Sequence, residues 1–390
     1  MNKFKLIRPS FLFLFLFLLF IILSNSIPAD KQKSPIVEVI SAESAPELTE
    51  LFRPSRRGWL GSDGAASVAI SKDKILWLFG DTILGNKTDA GKRSGTIVRN
   101  TIGVQDLTEG YPGNVDFYWE IPGNIPAAYL LAEGFDQDFW YWPGSGAMVD
   151  GELFLFCYKI FPGTGPEAFA FEIGEMTLIQ ITNPLDNPAK WKKIITPLGI
   201  GNNNQGFCSA VLVEKPFFYL LGFDDGPADK ALERRAILAR AKIDELKSGK
   251  GREALEFWTE SSEGGVWSNK IENLLPLFVP GETETSLQYD SNSGRYITVF
   301  MKLFEPDIYI ISAPKITGPW TDPIKVYTAP EPAKDKNYSA YASKAHPELA
   351  RESNELIITY VVNANDFWGI FTDPTVYFPQ FVRVKLKWKL

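Results

Sequence analysis

The 390-residue chain holds one histidine and two cysteines. A single histidine leaves little for a zinc site, and neither Cys157 nor Cys208 has metal-ligand spacing. A Ser-His-Asp triad would have to use His346, yet no G-x-S-x-G elbow is present. A Walker A loop and a dinucleotide fingerprint are also missing. Positive charge is in the minority, with 40 Lys and Arg against 47 Asp and Glu, a net charge of −7. A chain of that sign lacks the long-range pull on phosphate backbones, which argues against a nucleic-acid partner. The two cysteines fit one disulfide in an oxidising compartment, or two buried thiols on neighbouring strands.

Only one long apolar run occurs, Phe11 to Leu23, and Lys3, Lys5 and Arg8 precede it. As a helix it would span about 20 Å, short of the roughly 30 Å hydrocarbon core. Ser24-Asn25-Ser26 follows, so residues 1–26 read as a signal peptide, with an uncleaved anchor as the alternative. No cysteine stands directly after the run, which excludes a bacterial lipoprotein anchor. Cleavage removes three positive charges and leaves −7 − 3 = −10. The mature chain is therefore expected to be exported, monomeric and without a stable membrane span. Residues 27–50 form a linker or closing segment, and 51–390 the folded domain.

Turn formers and aromatics are what the chain has in quantity: 31 Gly, 27 Pro and 14% Phe, Trp and Tyr. Such a composition favours many short strands. Five apolar runs each follow a turn signal: Lys74 to Phe79, Glu152 to Tyr158, Pro216 to Leu221, Arg295 to Met301 and Glu355 to Val362. Lys72-Asp73, Asp150-Gly151 and Asn292-Ser293-Gly294 are hairpin turns on this reading. A tryptophan closes each unit, at Trp119, Trp191, Trp258, Trp320 and Trp388, with intervals of 72, 67, 62 and 68 residues. Five units of about four strands predict an all-β fold, a five-bladed β-propeller with four-stranded antiparallel blades. The alternative is a β-sandwich with coincidental spacing. Ala236 to Ile243 is rich in helix formers, but the repeat predicts a strand there, then a helical turn over Asp244 to Lys247.

Hairpin geometry sets the start of each first strand beside the end of the second, at one mouth of the central channel. A regular count brings Asp63 opposite Thr82, beside Asp81. It sets Trp142 by Lys159, Gln205 by Asp224 and Asp225, Glu282 and Glu284 by Lys302, and Lys344 and His346 by Asn363. Paired carboxylates at a concave mouth suit glycosidic bond hydrolysis, in which one carboxyl is protonated and another ionised. Ordinary turn chemistry is the competing account of Asp63-Gly64 and Gly80-Asp81-Thr82. Trp59, Trp140, Trp142 and Trp368 offer ring faces for sugars, and Phe139 to Trp142 is the strongest binding segment.

Trp59-Leu60-Gly61-Ser62-Asp63-Gly64-Ala65, Trp77-Leu78-Phe79-Gly80-Asp81-Thr82 and Lys344-Ala345-His346-Pro347-Glu348-Leu349, with Tyr360-Val361-Val362-Asn363, carry a resemblance. Over about Leu51 to Leu390 the chain resembles an uncharacterised-domain family of exported bacterial proteins that includes endo-D-arabinanases. More distantly it resembles the arabinanase and β-xylosidase propellers. The resemblance implies a five-bladed propeller, and the leading expectation is an exported glycoside hydrolase acting on a furanose-containing or related polysaccharide, with inversion; a carboxylate spacing of roughly 6.5–9.5 Å would support inversion and about 5 Å retention. The resemblance implies Asp63 as general base, with Asp81 or Glu284 as the acid. The wider group draws its acid from blade three, where this chain offers Gln205 and Asp224-Asp225. Trp59, Trp140, Trp142, Gln205, Asp224, Lys302, His346 and Asn363 are the substrate-binding candidates. Some relatives hold a cation in the channel through a histidine, which makes His346 a candidate for a structural Ca2+. A buried hydrogen-bonding role is the other reading of His346. A non-catalytic glycan-binding propeller, or an envelope protein with a closed mouth, would share the same fold.

Overall fold

Each hairpin signal folds into a turn. Asp150 (φ 50°) and Gly151 (φ 83°) both take the left-handed conformation that a two-residue primed turn needs. The structure, a computed structural model, describes residues 36–55, 57–131, 138–164, 170–226, 234–302, 305–366 and 368–389. The leader expected over residues 1–26 lies outside them.

Among the described residues, twenty-two strands form five sheets. The strand β1 (Val37–Ser44) precedes the first blade, which holds β2 (Arg57–Ser71), β3 (Lys74–Lys87), β4 (Arg93–Val98), β5 (Thr101–Asp106) and β6 (Asn114–Tyr118). The second blade is β7 (Trp140–Val149), β8 (Glu152–Pro162), β9 (Phe171–Ile181) and β10 (Lys193–Pro197). The third is β11 (Gln205–Glu214), β12 (Phe217–Asp224), β13 (Arg235–Lys242), β14 (Leu255–Ser261) and β15 (Gly264–Ser268). The fourth is β16 (Ser286–Asp290), β17 (Arg295–Met301), β18 (Asp307–Ala313) and β19 (Ile324–Thr328). The fifth is β20 (Tyr338–Ala345), β21 (Glu355–Ala364) and β22 (Pro379–Trp388), with β1 as its outermost strand. The fold is the expected five-bladed propeller. Blades one and three each carry a fifth strand, β4 and β15.

The helix-rich stretch forms a strand, β13, followed by a helical turn at Ile243–Lys247, because pairing with β12 along its whole length outweighs intrinsic propensity. The tryptophan spacing marks the outer half of each blade without marking one equivalent position. Trp258 lies inside the fourth strand of its blade, Trp191 and Trp320 precede theirs, and Trp119 follows its own. Trp388 ends a third strand, because the fourth strand of blade five comes from the N-terminus. The N-terminal segment is tied in by the Ala45 N–H on Phe381 O (2.8 Å) and the Phe381 N–H on Thr49 Oγ1 (3.0 Å). Val39–Lys387 make one compact unit. A second, small unit joins residues 36–38 to 388–389, where the Lys389 N–H donates to Ile36 O at 2.8 Å.

Apolar runs are buried on both faces because each blade is stacked between two others. Phe154, Phe156, Phe207, Phe218 and Phe257 are fully buried in one cluster from blades two and three. Phe52, Trp77, Phe79 and Phe381 form another between blades one and five. Truncating any one of these rings to alanine should cost about 3–5 kcal/mol. Cys157 and Cys208 are free buried thiols. Residues of all five innermost strands, β2, β7, β11, β16 and β20, line a channel cavity of about 410 Å³.

Candidate active site

The pleat alone does not deliver the carboxylates to the mouth. The β2–β3 register breaks around residues 59–66, pairing Ser62 with Thr82 and Gly64 with Phe79. Gly64 (φ 86°) and Ala65 (φ 66°) take the left-handed conformation there. The bulge shifts Asp63 off the regular count and aims its carboxyl across to β3. Asp63 Oδ1 rests against Gly80, where an added Cβ would stand 2.5 Å away. Ser62 Oγ donates to Asp81 O at 2.9 Å, and Thr82 Oγ1 donates to Ser62 Oγ at 2.9 Å, tying the two strand segments together.

A second bulge completes the cluster. In a regular strand, residues three apart point to opposite faces. Between Tyr341 and Lys344 the β20–β21 register slips, with Ala342 at φ 60°, and both side chains reach the carboxylates. Tyr341 Oη donates to Asp63 Oδ2 at 2.9 Å, and Lys344 Nζ, 5% exposed, pairs with Glu284 Oε2 at 2.9 Å. Asn363 Nδ2 lies 3.5 Å from Tyr341 Oη. Asp81 is held from blades one and two. Trp142 Nε1 donates to its Oδ1 at 3.0 Å, and Arg99 Nη1 lies 3.4 Å from its Oδ2. The Arg99 guanidinium lies over the Trp140 ring at 4.2 Å. Tyr377 Oη donates to the Asp81 carbonyl at 2.9 Å.

These surroundings separate the two aspartates. Burial, then the negative charges of Asp81 and Glu284, push the Asp63 carboxyl well above its usual range; the Tyr341 hydrogen bond and Lys344 oppose them. Burial also raises Asp81, but the Arg99 charge and the Trp142 and Arg99 donors hold it back. Asp63 is therefore the carboxyl that keeps its proton to higher pH, and Asp81 the one that ionises first. Burial, then Asp63, drives the Tyr341 hydroxyl well above its ordinary value, so it remains a donor.

Of the residues singled out in the sequence, Asp63, Asp81, Glu284, Trp142 and Asn363 meet in this cluster, and Trp140 supports it from beneath Arg99. Others lie elsewhere. Trp59 is 3% exposed, stacked on Phe117 at 4.4 Å, with Nε1 donating to Thr101 Oγ1 at 3.2 Å. Gln205 pairs with Asp224 in register as counted, but the Asp224 carboxylate is taken by Arg235. Lys302 pairs with Glu305 at 3.8 Å. Lys344 opposes Thr359, and Asn363 opposes Ser339, so Lys344 and His346 do not lie beside Asn363: the connection holds a helical turn at Pro347–Leu349 and is centred earlier than the count assumed.

His346 is fully buried, its Nδ1 2.6 Å from Ser67 Oγ and its Nε2 2.7 Å from Thr359 Oγ1. Burial, then Lys344, lowers its pKa to about 3. With both ring nitrogens engaged by hydroxyls, the imidazole has no lone pair for a cation, and the residues present do not fit a His346-bound Ca2+. Among the described residues no three His, Cys, Asp or Glu side chains gather as a metal-holding group. No helix among them is long and apolar enough to cross a membrane.

Tyr341, Tyr377 and Arg99 escape the sequence count. Tyr341 reaches Asp63 through a bulge that carries no glycine, Tyr377 comes from the segment between β21 and β22, and Arg99 sits at the corner between β4 and β5.

Residues 47–388 match the model of a domain of unknown function, DUF5005, and the chain belongs to that family. No curated protein matches it. Among solved structures, a candidate hydrolase from Bacteroides ovatus superposes with a TM-score of 0.68 at 17% identity, over 88% of this chain and 90% of the other. A GH43 enzyme from Xanthomonas citri matches at 0.46 and 12%, over 88% and 93%. A GH43 β-xylosidase/α-arabinofuranosidase from a compost metagenome, in complex with xylotriose, matches at 0.44 and 12%, over 86% and 94%. At these identities the likeness is one of fold.

Proposed function

We propose that this protein is an exported glycoside hydrolase that cleaves a furanose-containing polysaccharide. The observation that carries the reading is the unequal pair Asp63 and Asp81 on neighbouring strands. Two carboxyls whose surroundings separate their protonation are what glycosidic cleavage uses. Asp63, rather than serving as the base that the resemblance implies, is the proton donor to the departing glycosidic oxygen. Asp81, ionised beside Arg99 and Trp142, is the carboxylate facing the anomeric carbon. Lys344 neutralises Glu284 and limits the negative charge around Asp63.

Strands β2 and β3 run about 4.8 Å apart. We take the two carboxyls to keep that backbone spacing, which fits the close separation of retaining enzymes, about 5–5.5 Å, better than the wider gap that admits a water for inversion. Asp81 then attacks the anomeric carbon as Asp63 protonates the leaving oxygen. Asp63, now ionised, takes a proton from the water that releases the sugar. The resemblance to endo-D-arabinanases makes arabinan the first substrate to try. Proton NMR of the first product formed tests the stereochemistry: the retained anomer is expected, and an inverted one removes Asp81 as nucleophile.

A further inference from the structure

Arg93 is the least expected cation in the molecule. It is 4% exposed, and among the described residues no carboxylate is hydrogen-bonded to it. Its guanidinium instead donates to four backbone carbonyls of one segment: Ile370 O, Asp373 O (3.0 Å), Pro374 O (3.5 Å) and Val376 O (2.7 Å). Burial lowers its pKa to about 10. The Asp373 charge opposes that shift without a carboxylate hydrogen bond to the guanidinium, and a buried cation hydrogen-bonded to neutral acceptors is costly unless it fixes something.

What it fixes lies at the end of that segment. Tyr377 (φ 62°) is 4% exposed, and its hydroxyl holds the Asp81 carbonyl. Arg93 stands on β4, the extra strand of blade one, which pairs with the outer half of β3 from Thr82 to Lys87. The segment it grips belongs to blade five, between β21 and β22. Gly61 completes the joint. Its φ of 137° suits glycine, and a Cβ there would collide with the Tyr377 carbonyl and stand 3.6 Å from Arg93 Nη2. Gly61 is two residues from Asp63, so the blade-five segment is clamped against both carboxylate-bearing strands.

We propose that Arg93 is a positioning residue: with Gly61 it latches the 370–377 segment of blade five onto blade one, and through Tyr377 it sets the backbone that carries Asp81. The role in turnover rests on the hydrolase reading above; the latch itself does not. A lysine cannot replace it, because one ammonium cannot span four carbonyls that a planar fork reaches together.

The test compares Arg93→Met, Arg93→Lys, Tyr377→Phe and the Arg93→Met/Tyr377→Phe double variant by hydrogen–deuterium exchange and by kcat and KM on a glycan that the wild type cleaves. Both Arg93 variants should speed exchange at 370–377 while β12 stays protected. They should lower kcat tenfold or more and change KM less than threefold. Tyr377→Phe should lower kcat with exchange unchanged, and the double variant should be no slower than Arg93→Met. Unchanged exchange at 370–377, or faster exchange with unaltered kcat, overturns the proposal. If Arg93→Met does not fold, Tyr377→Phe decides, since wild-type kcat in that variant removes the route to Asp81. If the wild type cleaves no glycan, the hydrolase reading fails separately. The latch is then judged by exchange and by whether Arg93→Lys moves the Asp81 titration in carboxyl-labelled NMR; an unmoved midpoint overturns it.

Discussion

Replacing Asp63 by asparagine should stabilise this protein at neutral pH while abolishing its activity. An asparagine Oδ1 still accepts from Tyr341, so the change removes a charge more than a contact. The sign follows from linkage. A carboxyl whose folded pKa is raised is bound to its proton more tightly in the folded state. Its contribution is fully present below the unfolded value of about 3.9 and is lost as pH rises through the folded value. Above that point the ionised Asp63 opposes folding, and asparagine does not. Each pH unit between the folded and unfolded values corresponds to about 1.4 kcal/mol. The Val39–Lys387 unit has 387 − 39 + 1 = 349 residues. At about 2.1 cal/mol/K per residue, 1 kcal/mol moves its Tm by roughly 1.4 °C. Each pH unit of separation should therefore appear as about 2 °C. Scanning calorimetry of wild type and Asp63→Asn from pH 3 to pH 8 should show equal Tm values at the acid end and a widening advantage for the variant above it. A variant that is less stable at pH 7, or an advantage independent of pH, refutes the electrostatic account of the site.

Tyr341→Phe removes a hydrogen bond that favours ionised Asp63, so the alkaline limb of the pH–rate profile should move to higher pH, with kcat reduced about tenfold. An unmoved limb would exclude Asp63 as the titrating acid. His346 should remain neutral through the physiological range, its NMR signals unchanged from pH 8 to pH 4.5. Because its folded pKa of about 3 lies below the unfolded value, the stability linked to it is present above about 6.5 and declines as pH falls towards 3. A midpoint near 6 would mean that the imidazole is solvated.

Blade number and strand order were legible because each apolar run is short, follows a turn signal and must be buried on both faces. The same repeat correctly overruled helix propensity at Ala236 to Ile243. Register at the mouth was not legible, and the reason is physical. Bulges at 59–66 in β2 and at 341–344 in β20 add residues without a consistent sequence mark, and each changes which side chains face the channel. Counting from the turn therefore found Asp63 and Asp81 within one residue but missed Tyr341, and it misplaced Lys344 and His346 because the β20–β21 connection is long and holds a helical turn at Pro347–Leu349. Tyr377 and Arg93 belong to segments whose partner is another blade, a relation that no local pattern encodes. Pairing of β1 with β22 likewise depends on ring closure, which joins the two ends of the sequence.

Release of reducing ends from arabinans, xylans and cell-wall glycans by the protein from Ile27 onward, with Asp63→Asn and Asp81→Asn in parallel, tests the central claim most directly. The account predicts release from a furanose-containing glycan by the wild type and at least a thousandfold loss in each variant. Release that survives either substitution, or saturable glycan binding with no product from any of them, would contradict it.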